Sequence, residues 1–391
     1  MIWLYYLAAM VIGYFLFRRI ILESLYISMK NRYVFITGCD SGFGRLLALR
    51  LLSQGVNVFA GCYTETGGES LQQQHFGSKQ KGFGDLHVVK IDITNDESVA
   101  AARAQVDNVL NKTGGLLHGV VNNAGIFTTF GPDDWCTTAE YQLSLNVNTM
   151  GAVRVCHAFL PLVKASRGRI VTMGSTAGRL HGKFVAPYVT AKFAVEAYMD
   201  CLRLEMRPFG VSVHVLEPGC FKTELLSEEA QHGRINRIWG QLPFSVKEEY
   251  GDKYFQNFKI AWQNGVNIVA NPNLQWVVSC YEHAIFGAWP RLRYAAGWDA
   301  IFCFIPLSCM PTFFQDLVLD TMYNLQPGPP LNPAALEKKH STFGRIWNWI
   351  SAVGSHLGLL SFGLALFSVK ATALFGQADA AVTANGTAKD D

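Results

Sequence analysis

At 391 residues the chain exceeds one average domain, and either two domains or one large α/β domain with appended membrane segments would use that length. Half of the residues are apolar and 16% are charged, which lies on the apolar side of soluble composition and points to lipid contact. Lys and Arg number 33 against 30 acids, a net charge of +3 with no broad basic face, so nucleic acid is set aside as a partner.

Nine cysteines are scattered from Cys39 to Cys309 with no C-x-x-C pair and no His cluster at zinc spacing. They read as reduced thiols packed as small hydrophobes, with neither a disulfide framework nor a metal site.

Residues 2–17, IWLYYLAAMVIGYFLF, carry no charge and stop at Arg18-Arg19; Ile20, Ile21 and Leu22 extend the run if the arginines snorkel. A cleaved signal peptide is the rival. The basic residues follow the apolar run and no small-residue cleavage motif comes after it, which favours an uncleaved anchor over 1–29.

From Arg32 to about residue 325 short apolar runs alternate with longer amphipathic stretches. YVFIT (33–37), VNVFAG (56–61), LHVVKI (86–91), GVVNNAG (119–125), GRIVTMGS (168–175) and VSVHVLEPG (211–219) read as buried parallel strands. Stretches such as RLLALRLLSQG and VAAARAQVDNVLN between them read as helices, and strict alternation predicts a doubly wound parallel sheet of Rossmann type. Residues 224–280, with Trp239, Phe244, Tyr254 and Phe255, are either helical packing on the sheet or a substrate lid beyond a strand's carboxyl end. Residues 301–319 are apolar but broken by Pro306, Pro311 and Asp316, as in an interfacial segment or buried lid helix. A linker (326–345), a second membrane helix (346–370, with His356 its one ionisable residue before Lys370) and a disordered tail (371–391) complete the predicted order.

Directly after the first strand comes Thr37-Gly38-Cys39-Asp40-Ser41-Gly42-Phe43-Gly44 and then an amphipathic helix. Glycines there let backbone approach a pyrophosphate, and the helix start supplies unpaired N–H donors. Asp92, closing the third strand, is placed to accept from the adenine amino group, or else caps the next helix. Asn122, Asn123, Ala124 and Gly125 form a turn that would bring backbone near the adenine ribose, or simply a tight turn. At the end of the second strand, where an acid binds a ribose 2′-hydroxyl and a base a 2′-phosphate, stand Cys62 and Tyr63. No Arg or Lys lies between Arg50 and Lys79, which favours NAD without excluding NADP.

Tyr188 and Lys192 stand four apart and so share a helical face, where an ammonium would favour the phenolate and also reach ribose hydroxyls. Ser175, thirteen residues before Tyr188, ends a strand where its hydroxyl can orient a reacting oxygen. Asn148 begins or interrupts a helix and would position a water that relays protons to Lys192; Asn146 competes for that role. Pro218, Gly219 and Thr223 lie where a nicotinamide carboxamide would be held.

TGCDSGFG, NNAG, NTMG, the Ser175/Tyr188/Lys192 spacing and PGCFKTEL, with the longer strings VKEEYGDKYF and PRLRYAAGWDA, resemble the short-chain dehydrogenase/reductase family in its retinol and hydroxysteroid dehydrogenase branch, over roughly residues 30–325. The resemblance implies Asn148, Ser175, Tyr188 and Lys192 as the catalytic tetrad, and hydride transfer between a nicotinamide dinucleotide and a lipophilic alcohol or ketone, with retinoids and hydroxysteroids leading. It also implies an endoplasmic reticulum membrane and allows a homodimer. Two departures stand out: the extension after about Pro330, and Gly174 where relatives often have a second Ser. A non-catalytic dinucleotide-binding scaffold and a mitochondrial hydroxyacid dehydrogenase are the alternatives; the intact tetrad opposes the first, and the second would want an Arg-rich transit peptide. Basic residues beside both apolar ends (Arg18, Arg19, Lys30 and Arg32; Lys338, Lys339 and Arg345) predict a cytosolic catalytic domain. That arrangement leaves the sequon at Asn111 unmodified, and the one at Asn385 is less informative.

Overall fold

A computed structural model describes residues 2–78 and 80–323. The expected linker, second membrane helix and tail, with Asn385, lie outside the described residues.

Seven strands form one all-parallel sheet in the order β3-β2-β1-β4-β5-β6-β7. They are β1 Tyr33–Thr37, β2 Asn57–Cys62, β3 Leu86–Lys90, β4 Leu117–Asn122, β5 Arg169–Met173, β6 Ser212–Pro218 and β7 Arg293–Ala296. The crossovers are α2 Gly42–Ser53, α3 Glu65–Ser78, α4 Asp96–Thr113, α5 Thr138–Leu145 with α6 Gly151–Ser166, and α7 Ala186–Met206, preceded in the chain by α1 Ile2–Ile20. Alternating residues of β1 feed two cores. Val34 and Ile36 pack with Leu47 and Leu51 of α2 and with Val277 and Tyr281 of α11 (Gln275–Phe286). Tyr33 and Phe35 face the other side, where Val106, Phe159 and Met199 of α4, α6 and α7 close over them. Burial on both faces is why β1 reads as an unbroken apolar run.

The six predicted strands are present, and the seventh, RYAA, was missed because it is four residues long and begins with a charge. Strand order reverses between β1 and β4, so a crevice opens at the carboxyl edge where these two diverge.

Between β6 and β7 the chain rises into α8 Glu228–Gln241, α9 Phe244–Tyr250 and α10 Asp252–Val269. These helices share an aromatic core with Phe127, Phe130 and Trp135, separate from the two cores that flank the sheet. This helical layer ends at Val269, and α11 turns back into the sheet core. The 301–319 segment folds as a π-turn Ala300–Phe304, α12 Ile305–Ser308 and α13 Thr312–Tyr323. Leu307 and Leu319 pack on Leu180, and Asp316 pairs with His181 at 3.0 Å, so the segment braces the loop that follows β5.

α1 stands apart from the packed body, and its apolar side chains such as Trp3 and Ile12 are exposed. Its junction is firm: Ile27 N–H donates to Phe286 O at 2.8 Å, Ala288 N–H to Leu25 O at 2.7 Å and Arg291 Nε to Glu23 Oε1 at 2.7 Å. These contacts fasten α1 at the amino edge of the sheet, where α11 ends and β7 begins.

Candidate active site

The glycine-rich turn is built around close approach. Gly38 and Gly42 take φ of +72° and +57°, which L side chains avoid. A Cβ on Gly44 would sit 2.3 Å from Gly38 O and 2.5 Å from Asn123 Nδ2. Nothing lies within 4 Å of where a Cβ on Gly42 would be, so the start of α2 opens on free space. Ser41 precedes it in extended backbone and its hydroxyl caps no helix N–H, while Phe43 packs edge-on against Phe221 at 5.7 Å. An uncapped twelve-residue helix start under an open glycine cradle fits a pyrophosphate.

Asn123 ties this turn to β4. Its Nδ2 donates to Thr37 O (3.0 Å) and Gly38 O (3.1 Å), and Tyr281 Oη donates to its Oδ1 (3.2 Å). Thr37 Oγ1 accepts from Asn123 N and Ala124 N, each at 3.1 Å. Asn122 points into the sheet, donating to Thr172 Oγ1 at 3.0 Å. Gly125 lies against Asn148, where a Cβ would come within 2.8 Å of Oδ1.

At the ends of β2 and β3 a groove of about 560 Å³ is bordered by Tyr63, Thr64, Glu65, Lys90 and Asp92. Cys62 is 1% exposed and belongs to the core, so the groove is presented by the residues after it. The Asp40 carboxylate reaches across and accepts from Tyr63 N (2.9 Å), Thr64 N (2.8 Å) and Thr64 Oγ1 (2.7 Å). Asp92 accepts from Thr94 N at 2.9 Å, and it is Asn95 that caps α4 through Ser98 N at 2.7 Å. The helix-cap alternative for Asp92 therefore falls away. Two cations approach from outside the 50–79 window: Lys90 pairs with Glu65 at 3.1 Å, and Arg45 donates to Gln74 at 3.0 Å and Ser70 at 2.9 Å.

Ser175, two residues past β5, caps the short turn Thr176–Gly178 by accepting from Ala177 N at 3.1 Å. Its side chain also hydrogen-bonds Tyr188, on the first turn of α7. Burial pushes the Tyr188 phenol up to about 12, and the Ser175 hydrogen bond pulls the other way. One turn on, Lys192 Nζ donates to Met173 O at 2.9 Å and lies 5.5 Å from the Tyr188 ring centre. Burial pushes that ammonium down to about 8, with Glu196 opposing the fall.

Asn148 lies in a π-turn, Asn146–Met150, that joins α5 to α6. Such insertions widen the backbone spiral and recur at functional sites. Its Oδ1 accepts from Ile126 N at 2.9 Å and its Nδ2 donates to Ile126 O at 3.0 Å, so the amide holds the loop after β4. Asn146 instead accepts from Arg154 at 2.9 Å, away from α7. Thr149 Oγ1 donates to Ala191 O at 2.8 Å and binds the π-turn to α7 beside Lys192.

After β6, Gly219 N–H donates to Ala296 O at 2.9 Å and Cys220 N–H to Asp299 Oδ2 at 2.6 Å. Asp299 was not singled out in the sequence, although it stands in the string PRLRYAAGWDA. A Cβ on Gly219 would come within 2.1 Å of its carboxylate, which explains the glycine after Pro218. Thr223 ends this turn ahead of Glu224–Leu226. The loop after β4 and α10 give Tyr188 an apolar surround: Phe127 is 5.1 Å from the Tyr188 ring, and Phe130 stacks on Trp262 at 4.4 Å. A phenol, a hydroxyl and an ammonium under aromatic cover can move a proton to or from an oxygen on an apolar molecule.

The family model described as short chain dehydrogenase matches residues 32–233. The chain is 58% identical to the 3beta-hydroxysteroid dehydrogenase dhs-16 of Caenorhabditis elegans, covering 94% of each chain. It is 40% identical to retinol dehydrogenase 7 of Rattus norvegicus over 81% of this chain and 96% of that one. Among solved structures, a short chain dehydrogenase/reductase from Burkholderia phymatum in complex with NAD superposes with a TM-score of 0.58 at 20% identity, covering 78% of this chain and 99% of that chain, a likeness of fold.

Proposed function

The chain belongs to the short-chain dehydrogenase family and is a nicotinamide-dinucleotide-dependent alcohol dehydrogenase, and we propose that it interconverts a hydroxysteroid, of 3β-hydroxy type, and its ketone. The observation that carries the reading is the convergence of Ser175, Tyr188 and Lys192 beneath the Phe127/Phe130/Trp262 ceiling. When bound, the dinucleotide accepts or returns the hydride. Tyr188 takes the hydroxyl proton in oxidation, Ser175 orients the oxygen, and Lys192 holds positive charge beside the phenol. Asn148 anchors the π-turn through Ile126 and would position a water that relays protons to Lys192. The cradle of Gly38, Gly42 and Gly44 would hold the pyrophosphate and Pro218–Thr223 the nicotinamide end. A screen of hydroxysteroids and retinols with NAD and NADP, read by cofactor absorbance, tests the reading. Turnover of a 3β-hydroxysteroid ahead of retinol is expected; turnover of none of them would end it.

NAD is proposed as the preferred dinucleotide. Asp40, Glu65 and Asp92 surround the ribose end, and Lys90, the cation bordering that groove, is engaged by Glu65. A 2′-phosphate there would meet more negative than positive charge. Tyr63→Arg is expected to move kcat/KM toward NADP by about tenfold, since a guanidinium at this exposed position supplies a charge-assisted partner. A wild-type preference for NADP would point to Lys90 or Arg45 as the phosphate partner and refute the proposal.

For the membrane, α1 is the one helix among the described residues long and apolar enough to cross, over Tyr5–Ser24 with mean hydropathy 1.5. With Arg18, Arg19, Lys30 and Arg32 following it, the reading is an endoplasmic reticulum anchor with the catalytic domain in the cytosol. Protease added to sealed microsomes is then expected to digest the domain. Protection until detergent is added, with sugar on Asn111, would put the site in the lumen.

A further inference from the structure

Tyr188, Lys192, Glu196 and Asp200 recur every four residues along α7 and so share one face of it. The first two belong to the site; the last two meet Arg293 at the start of β7. Arg293 Nη1 donates to Glu196 Oε2 at 2.6 Å and also to Glu217 of β6, and its Nη2 donates to Asp200 Oδ2 at 2.5 Å. Arg179, in the loop after Ser175, donates to Glu217 at 3.0 Å, and Arg203 to Asp200 at 3.0 Å. Glu196 and Glu217 are 3% and 2% exposed. Carboxylates buried in such an ion-pair network seldom stabilise a fold more than apolar groups of the same volume would, so their presence asks for another reason.

Glu196 has a second attachment. Its Oε1 accepts from Ser175 N at 3.4 Å. The same oxygen stands 2.6 Å from where a Cβ on Gly174 would be and 2.5 Å from one on Gly178, which accounts for glycine at both places. One carboxylate thus lies under the Ser175 loop and one helical turn beyond Lys192.

We propose that Glu196, clamped by Arg293, is a positioning residue for the proton transfer: it seats the Ser175 loop on α7, and its negative charge keeps Lys192 the ammonium that Tyr188 requires. This rests on the reading of Ser175, Tyr188 and Lys192 as the reacting groups. Lys192 and Tyr188 feel Glu196 from their own helix, and Tyr188 also feels Cys220 from the turn after β6. Glu196 in turn faces Glu217 of β6 and Arg293 of β7; burial and Glu217 push its carboxyl up, and Arg293 holds it back. The Glu196 charge raises the proton affinity of Lys192 and of Tyr188 alike. Its removal therefore lowers both, and the sign holds whichever group carries the titration.

The experiment is alcohol oxidation as a function of pH for wild type, Glu196→Gln and Glu196→Asp, with thermal unfolding recorded beside it. The rising limb of kcat/KM is expected to move down by about one pH unit in Glu196→Gln, the scale of one charge at short range in a partly shielded interior. Glu196→Asp, which keeps the charge, is expected to return the limb most of the way to the wild-type position. If Glu196→Gln does not accumulate folded, the volume-matched Glu196→Met carries the same expectation. A limb that stays put while the protein merely melts earlier would make Glu196 a packing residue and overturn the proposal. Absence of turnover in the wild type on every alcohol would sink the reading of the site itself, a separate outcome.

Discussion

Tyr188→Phe is expected to lower kcat by about 100- to 10,000-fold, the range typical of a lost proton-transfer group, while dinucleotide affinity stays within a few-fold. The ring of Tyr188 packs on Phe127 at 5.1 Å, and phenylalanine keeps that contact, so the lid core should not reorganise. What is lost is the hydroxyl that Ser175 bonds. Retention of more than about a tenth of the wild-type rate would exclude the acid/base role, because no such group acts that weakly. Lys192→Ala should differ in kind, harming both turnover and cofactor affinity, since the ammonium stands beside the phenol and is proposed to hold the ribose as well.

The same pair sets a pH dependence whose sign differs with direction. Lys192 is pushed down to about 8 and Tyr188 up to about 12, so the pair as a whole sheds its first proton near 8. Oxidation needs the pair with one proton missing and should rise as pH passes through that region. Reduction needs the fully protonated pair and should fall there. A common limb of the same sign in both directions would mean that some other group is being titrated.

The parts of this fold that could be read from the sequence are those where each residue's own surroundings dictate its type. Strand β1 is apolar throughout because both its faces are covered, and the glycines at 38, 42 and 44 mark backbone that no side chain would permit. Ser175, Tyr188 and Lys192 were legible for a similar reason: a helical turn and one strand-to-helix loop are short-range geometry. What stayed hidden depends on residues far apart in the chain. Glu196 looked like an ordinary helix acid, and nothing local shows that Arg293, nearly a hundred residues later, closes on it. The strand carrying Arg293 was invisible as well, since RYAA is too short for a periodic signal. Lys90 borders the groove at the ends of β2 and β3 only because β3 pairs with β2, setting it beside Cys62. In the pair Asn122-Asn123 the sequence does not show which side chain turns into the sheet and which reaches the glycine turn, because strand parity decides that, and the parity depends on where β4 ends.

Gly44→Ala is the second substitution with a large expected effect, and it separates cofactor binding from chemistry. The added methyl would come 2.3 Å from Gly38 O and 2.5 Å from Asn123 Nδ2, well inside contact distance. Neither neighbour can simply move. Gly38 is held at positive φ in the turn, and Asn123 Nδ2 is bonded to Thr37 O and Gly38 O while its Oδ1 receives Tyr281 of the core. Relief must therefore come from displacing the turn or the start of α2, at a cost of about 1–3 kcal/mol if the effect resembles ordinary overpacking. The pyrophosphate would be gripped by that same helix start, so dinucleotide affinity should drop at least about tenfold, the equivalent of 1.4 kcal/mol. The variant should therefore bind dinucleotide weakly in a titration followed by protein fluorescence or calorimetry. Its turnover at saturating cofactor should fall far less than that of Tyr188→Phe, because Ser175, Tyr188 and Lys192 lie on the loop after β5 and on α7, across the switch point. Wild-type affinity in a folded Gly44→Ala protein would mean that the cradle at the start of α2 is not where the dinucleotide sits.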